Sequence, residues 1–183
     1  VSTRYVQLSS STATNYSVVL NKEAERTILV YHVPRKYRLP MLEKSAWLYY
    51  TSMGKGFERL HNDMLRYIKS CGARLGFNPG THQMRKGAEF LSPILKATEV
   101  VFLNKEETQF LMKTGSGDFK LLLKKLKATG PRIAVVTDGP NGSYAYDGTD
   151  FYYQDIYDVP VIERTGCGDA YSIGYLAALF HGQ

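Results

Sequence analysis

The stretch ERTGCGDAYSIGYLAAL, residues 163–179, places two glycines and a carboxylate where an apolar run of helical type begins. The segment VPVIE before it, residues 159–163, predicts a strand because it is rich in β-branched residues. Glycines between a strand and a helix let the backbone turn tightly, and they expose consecutive N–H groups at the positive end of the helix dipole. We therefore expect the amides of Gly166, Cys167 and Gly168 to form an anion site suited to a phosphate.

Asp169 needs its own explanation, because a carboxylate beside a phosphate is electrostatically unfavourable unless it performs a task. One hypothesis is that Asp169 accepts the proton of a hydroxyl that attacks phosphorus. The neighbouring amides would then hold the negative charge that develops on the transferring phosphoryl group. The alternative is that Asp169 only caps the helix and that the glycines only serve the turn. The motif by itself leaves both hypotheses open.

Strands and helices alternate from about Trp47 to Lys127, which predicts an α/β fold with a mostly parallel sheet and crossover helices. A hairpin around Asp147 and Gly148 is predicted within SYAYDGTDFYY, residues 143–153. Asp118 is a candidate N-cap and Gly72 a candidate C-cap. The predicted strands are AWLYY (46–50), ARLGF (73–77), EVVFL (99–103) and RIAVVT (132–137), and the predicted helices begin near Phe57, near Met84 (one helix through Ala88 and Leu91), at Asn104 and at Asp118.

Residues 1–36 have a different pattern from the rest of the chain. The segments YSVVL (16–20) and RTILVYH (26–32) are β-like, and the polar NKEAE (21–25) separates them as a turn would. We expect these residues to form a small β sheet or flap. Residues 37–183 would then form the α/β core of a single domain.

The composition indicates a globular protein. The chain has 183 residues, of which 44% are hydrophobic and 22% are charged, so it can bury a sizeable core. No apolar run approaches the length of a membrane-spanning helix, and the first residues do not resemble a signal peptide. The two cysteines, Cys71 and Cys167, argue against a disulfide framework and favour a reducing, cytoplasmic setting.

The formal net charge of +6 has three interpretations. Solvated basic faces and attraction of a phosphorylated substrate both fit charges that are spread along the chain. Binding to nucleic acid ranks last, because the sequence has neither a long basic run nor a motif that interleaves aromatic and basic residues.

Several motifs occur in the order typical of the ribokinase-like (PfkB-type) carbohydrate and nucleoside kinases. RTGCGDAYSIGY resembles the C-terminal signature of that family, Asp-Thr-x-Gly-Ala-Gly-Asp-x-Phe. LNKEE resembles its Asn-x-x-Glu motif, VVTDGPNG its Thr-x-Gly-x-x-Gly nucleotide loop, FNPGT a strand-end Asn-Pro segment, and TATNYSVVLNKEAERTIL its lid. The resemblance implies a three-layer α/β/α fold with a small β lid and a catalytic motif at residues 163–174. It also implies transfer of the γ-phosphoryl group of ATP to a hydroxyl of a sugar, sugar derivative or nucleoside.

The resemblance assigns roles to the residues that would perform the transfer. Asp169 would be the catalytic base, with the amides of residues 166–168 as the anion site and Asn78 beside Asp169 at the acceptor. Tyr49 and Tyr50, at the end of a predicted strand, are further candidates for contact with the acceptor. The acceptor itself stays open, although TSMG after that strand makes ribose a weaker candidate than another sugar or a nucleoside.

The resemblance places magnesium and the nucleotide at two further motifs. Asn104 and Glu107 would organise Mg²⁺, water and the phosphates, and the alternative for them is a helix cap with an acidic first turn. Thr137, Gly139 and Gly142 would line the phosphates and ribose of ATP. The alternative for these three residues is a simple β-turn.

Other positions depart from the usual pattern of the family. Glu163 and Thr165 match the positions where many members bind a monovalent cation such as K⁺, but glutamate replaces the usual aspartate and Arg164 follows it. Cys167 replaces an alanine, and we interpret it as a small packing residue. A non-catalytic nucleotide or sugar sensor is the second hypothesis for function. The substituted cation site favours it, and the retained Asp169 disfavours it.

The lid and the chain ends lead to two further expectations. The strand edges of the lid need covering, and in some members of the family the lid pairs two subunits, so a homodimer through the lid is expected. Relatives carry additional segments at both ends, so we expect this chain to be the central and catalytic portion of a longer kinase.

Overall fold

A computed structural model describes residues 3–22, 25–31, 33–157, 159–160 and 165–182. These residues form a two-stranded sheet and a separate six-stranded sheet in the order β3-β4-β5-β6-β7-β8. The strands are β1 (Tyr16–Lys22), β2 (Glu25–Tyr31), β3 (Trp47–Tyr50), β4 (Arg74–Phe77), β5 (Val100–Asn104), β6 (Ile133–Thr137), β7 (Ser143–Tyr146) and β8 (Phe151–Gln154). The helices are α1 (Glu58–Cys71), α2 (Thr81–Met84), α3 (Gly87–Lys96), α4 (Lys105–Met112), α5 (Phe119–Ala128) and α6 (Cys167–Phe180).

The large sheet is parallel from β3 to β6 and antiparallel from β6 to β8. The parallel strands are connected in sequence by α1, by α2 and α3, and by α4 and α5. Strand β5 packs on both of its faces, so it is an almost continuous apolar run in which residues 100–103 are buried. The prediction of a mostly parallel α/β sheet is confirmed.

The sheet is the middle of three layers. Leu75, Phe77 and Leu103 face one side, where they pack with the buried side chains of α1 and α3 to α5. Phe102 faces the opposite side, where it packs in a second cluster with Leu176 of α6. The three-layer α/β/α architecture is therefore confirmed, and α6 covers the sheet face opposite to the other helices.

The lid strands β1 and β2 pair antiparallel, with Tyr16 opposite Tyr31. The rings of these two tyrosines stack with centroids 5.1 Å apart. Near the base of the lid, the Val33 amide donates to Asn15 Oδ1 over 2.9 Å. The lid exposes apolar side chains on both faces, so this sheet buries little by itself.

Two predicted elements need correction. The single helix predicted through Met84, Ala88 and Leu91 is two helices, because Gly87 adopts a φ of 83° where α3 begins. In the predicted strand at residues 159–163, Val159 and Pro160 lie in no strand, and the other residues fall outside the described part of the chain. The predicted hairpin, the Gly72 C-cap and the Asp118 N-cap are confirmed. Among the described helices, none is long and apolar enough to cross a membrane.

Candidate active site

Polar side chains line the carboxyl ends of the four parallel strands. Thr51 follows β3, Asn78 follows β4, and Asn104 and Thr137 end the adjacent strands β5 and β6, where they are partners in the sheet register. Ligands of α/β sheets bind in the crevice at this edge. Each parallel strand ends where a helix or loop begins, so the polar residues at these ends lie along one edge of the sheet.

Helix α6 brings Asp169 to the same edge. The Tyr49 hydroxyl donates to Asp169 Oδ1 over 3.0 Å, and the Thr51 hydroxyl donates to the same oxygen over 3.4 Å. Asp169 is the third residue of α6 rather than its N-cap, and its carboxylate is exposed. The carboxylate is thus bound to strand β3, and a simple helix-capping role does not describe it.

The Tyr49 hydroxyl has several partners. Asn78 Nδ2 donates to it over 3.4 Å, and Ser172 of α6 lies beside it. Burial raises the pKa of Tyr49 above its ordinary value, and the neighbouring Asp169 carboxylate raises it further. The phenol is therefore protonated at neutral pH and acts as a donor to Asp169.

The first turn of α6 has amides without intrahelical partners. Gly166 is the N-cap with a φ of 82°, which suits glycine, and the first helical bond runs from the Ala170 amide to the Gly166 carbonyl over 2.9 Å. The amides of Cys167 and Gly168 precede that bond and are left for a ligand or water. Cys167 is exposed, so its interpretation as a packing residue was wrong.

Asn104 and Glu107 begin α4 as a reciprocal cap. Asn104 Oδ1 accepts from the Glu107 amide over 2.7 Å, and Glu107 Oε2 accepts from the Asn104 amide over 2.9 Å. Burial raises the pKa of the Glu107 carboxyl above its ordinary value. The predicted helix cap is therefore present. It uses only one carboxylate oxygen of Glu107 and leaves the other for another partner.

The nucleotide-loop motif folds into a tight turn. The Asp138 amide donates to the Gly142 carbonyl over 2.9 Å, and a 3₁₀ turn covers Gly139–Asn141. Gly142 adopts a φ of 82°, and a Cβ atom there would lie 2.4 Å from the carbonyl oxygen of Gln154. The predicted turn is therefore present. It lies directly after Thr137, at the carboxyl ends of the parallel strands.

An ion pair that the sequence motifs did not predict links these two motifs. Lys105 Nζ lies 3.3 Å from Asp138 Oδ2 in a partly buried ion pair, and Asn141 Nδ2 donates to the same oxygen over 3.0 Å. The pair joins the start of α4 to the loop after β6. The sequence feature that could have predicted this ion pair is that each residue directly follows a strand, Lys105 after β5 and Asp138 after β6.

The sequence also predicted site roles for Tyr50 and for two residues at a monovalent cation site. Tyr50 is buried on the sheet face opposite to Tyr49, where it stacks on Phe77 with centroids 5.2 Å apart, so its expected approach to the acceptor was wrong. Of the two residues proposed for a monovalent cation, Glu163 lies outside the described residues and Thr165 is exposed.

Among the described residues, no three His, Cys, Asp or Glu side chains are grouped as ligands of a metal ion.

A family model described as pfkB family carbohydrate kinase matches residues 1–183. The chain belongs to the pfkB family of carbohydrate kinases. The chain is 32% identical over 123 residues to the cytidine kinase of Thermococcus kodakarensis, and this match covers 66% of the chain and 44% of that protein. The chain therefore matches less than half the length of this relative.

Solved structures of the family have the same fold. The Arabidopsis thaliana ribokinase complexed with ribose and ATP superposes with a TM-score of 0.73 at 16% identity, covering 93% of this chain and 57% of that one. The Vibrio cholerae fructokinase with fructose, ADP and calcium ion bound superposes with a TM-score of 0.66 at 21% identity, covering 89% and 58%. The predicted ribokinase-like fold is confirmed.

Proposed function

We propose that the protein is an ATP-dependent kinase that transfers the γ-phosphoryl group to a hydroxyl of a sugar, sugar derivative or nucleoside. One observation carries the proposal. Asp169 lies on the first turn of α6, beside amides that have no intrahelical partner, where the helix dipole favours a negative ligand. Membership of the pfkB family supports a kinase, and the cytidine kinase relative supports a nucleoside as one acceptor class.

The residues of the site would share the work as follows. Asn78, which contacts the Tyr49 hydroxyl, would help to hold the acceptor, and Asp169 would take the proton of its attacking hydroxyl. The amides of Gly166, Cys167 and Gly168 would stabilise the charge that develops on the phosphoryl group. Thr137, Gly139 and Gly142 would lie along the nucleotide.

The donor set fits magnesium. Asn104 and Glu107 offer amide and carboxylate oxygens, which are the ligands that Mg²⁺ accepts, often through water. When bound, Mg²⁺ would neutralise phosphate charge. The proposed cation pair Glu163 and Thr165 rests on the resemblance alone, and comparing turnover in K⁺ and in Na⁺ tests it.

The experiment is ADP production by the whole protein with Mg-ATP over a panel of ribose, fructose, fructose phosphate, ketodeoxygluconate, cytidine, adenosine and other nucleosides. Turnover on one acceptor, lost by about 10²-fold or more in Asp169→Asn, would support the kinase and name its substrate. Asp150→Asn, an exposed carboxylate on the β7–β8 hairpin, is the matched control. No turnover on any acceptor, with ATP still bound, would favour the sensor hypothesis.

The lid supports a second part of the proposal, a homodimer through residues of β1 and β2. Val18, Leu20 and Leu29 share one face of the lid and are each about half exposed, and a second lid would cover them. A Leu29→Glu variant is expected to be monomeric in sedimentation where the unmodified protein is dimeric.

We also propose a cytoplasmic location, where ATP is available and the two free cysteines stay reduced.

A further inference from the structure

We propose that Tyr49 is a positioning residue that fixes the orientation of the Asp169 carboxylate for proton transfer. The inference rests on the proposed function, because it assigns Tyr49 a role through the proposed base. Tyr49 and Asp169 are 120 residues apart in the sequence, and their contact joins strand β3 to helix α6.

The hydrogen bonds at Asp169 are one-sided. Among the described residues, Tyr49 and Thr51 both donate to Oδ1. A carboxylate held through one oxygen presents the other in a fixed direction. Oδ2 is therefore the oxygen that would accept the proton of the acceptor hydroxyl. Without these donors, the exposed Asp169 side chain would sample several rotamers at the entrance of the anion site.

Tyr49 is suited to this task because it is itself held in place. Its ring packs in the cluster between the sheet and α6, near Phe102 and Tyr175. Its hydroxyl also accepts from Asn78 Nδ2 over 3.4 Å, and the neighbouring Ser172 hydroxyl donates to the Gly168 carbonyl over 2.9 Å. A catalytic group supported by locked neighbours keeps a productive geometry more of the time.

The alternative that Tyr49 is the base does not fit its surroundings. Burial and the adjacent carboxylate raise the pKa of Tyr49, so its hydroxyl keeps its proton at neutral pH. Asp169 is the group of the pair that can accept one. The role of Tyr49 is thus to donate and to orient.

The test compares four forms of the whole protein on its best acceptor: unmodified, Tyr49→Phe, Asp169→Ala and the double variant, assayed with radiolabelled ATP so that slow turnover is measured. Because a hydrogen bond to a charged group is lost, Tyr49→Phe is expected to lower kcat about 10-fold with KM for ATP unchanged. In the Asp169→Ala background the same change is expected to have no further effect, since the group that it orients is absent.

The matched control is Tyr50→Phe, which removes a buried hydroxyl from the adjacent residue on the opposite face of the sheet. This variant is expected to keep kcat. If Tyr49→Phe keeps full kcat, or lowers it equally with and without Asp169, the positioning role is overturned while the kinase function stands. If the unmodified protein turns over no acceptor, the proposed function fails, and the inference fails with it.

Discussion

Asn104 and Glu107 hydrogen-bond to each other's backbone amides across the first turn of α4, over 2.7 and 2.9 Å. The residues that the family resemblance assigns to magnesium therefore also begin this helix. The two interpretations of this motif are compatible, because the cap uses one carboxylate oxygen of Glu107 and leaves the other.

Glu107→Gln separates the two roles. Glutamine can still accept from the Asn104 amide, so the free energy of unfolding is expected to stay within about 0.5 kcal/mol of the unmodified value. The neutral amide is a poorer partner for magnesium or its waters, so turnover is expected to fall about 10- to 100-fold and to need more Mg²⁺. Urea unfolding and a magnesium titration of turnover measure the two effects.

The control for this variant is Glu106→Gln, which changes the exposed neighbouring carboxylate. If Glu107→Gln has the same magnesium requirement as the unmodified protein, Glu107 only caps helix α4 and has no role in magnesium binding. Asn104→Ala is expected to cost about 1 kcal/mol of stability, because it removes the acceptor for the Glu107 amide.

Gly142, in the loop between β6 and β7, is expected to tolerate no side chain. Its φ of 82° is unfavourable for alanine, and the added Cβ would lie 2.4 Å from the backbone oxygen of Gln154. Gly142→Ala should therefore destabilise the protein by about 2 kcal/mol or more and raise KM for ATP as the loop shifts. Gly139→Ala is the control, since Gly139 also has a positive φ, of 51°, but nothing lies within 4 Å of its Cβ position. An equal loss in both variants would show that backbone strain alone, and not the contact, decides the effect.

The sequence predicted the elements of the core well, because β5 and β6 are apolar runs and α5 has a one-sided apolar face. These signals are local. The split between α2 and α3 escaped prediction because one positive φ at Gly87 interrupts an otherwise helical apolar spacing. A glycine within a periodic segment does not reveal by itself which conformation it adopts.

The parts of the candidate site that escaped prediction are contacts between distant segments. The motifs predicted that Asp169 lies at a helix start, but its bond to Tyr49 depends on α6 crossing the sheet face beside β3. The ion pair of Lys105 and Asp138 likewise depends on β5 and β6 being neighbours. Strand order and the side on which a helix packs are tertiary properties, so local pattern does not fix them.

The position of α6 depends on a glycine in β4. Gly76 faces Leu176, and a Cβ atom at Gly76 would lie 2.5 Å from Leu176 Cδ1. Gly76→Ala is therefore expected to displace α6, with a loss of about 1–3 kcal/mol in stability and a fall in kcat, because Asp169 moves with its helix. In the double variant with Leu176→Ala, the loss of stability should be smaller than the sum of the two single losses, since Leu176→Ala removes the methyl groups that clash with the Cβ atom added at Gly76. A double variant no better than the sum of the two single variants would refute this packing relationship.

His61 is expected to make the protein sensitive to acid. Its ring is 5% exposed and packs among Phe57, Tyr50 and Phe77. Burial lowers the pKa of His61 to about 4, and the attraction of Glu58 offsets only part of that effect. Below the ordinary histidine pKa of about 6.5, the unfolded chain binds a proton that the folded chain refuses. Stability should therefore be complete above that pH and fall by about 3 kcal/mol as the pH drops towards 4.

His61→Phe tests this expectation, because phenylalanine suits an aromatic cluster and has no proton to bind. In urea unfolding between pH 4 and 7, the variant is expected to lose less stability than the unmodified protein on acidification. His181→Gln, which changes an exposed histidine at the end of α6, should behave as the unmodified protein does. If His61→Phe loses as much stability as the unmodified protein towards pH 4, the acid sensitivity has another source and the buried imidazole does not control it.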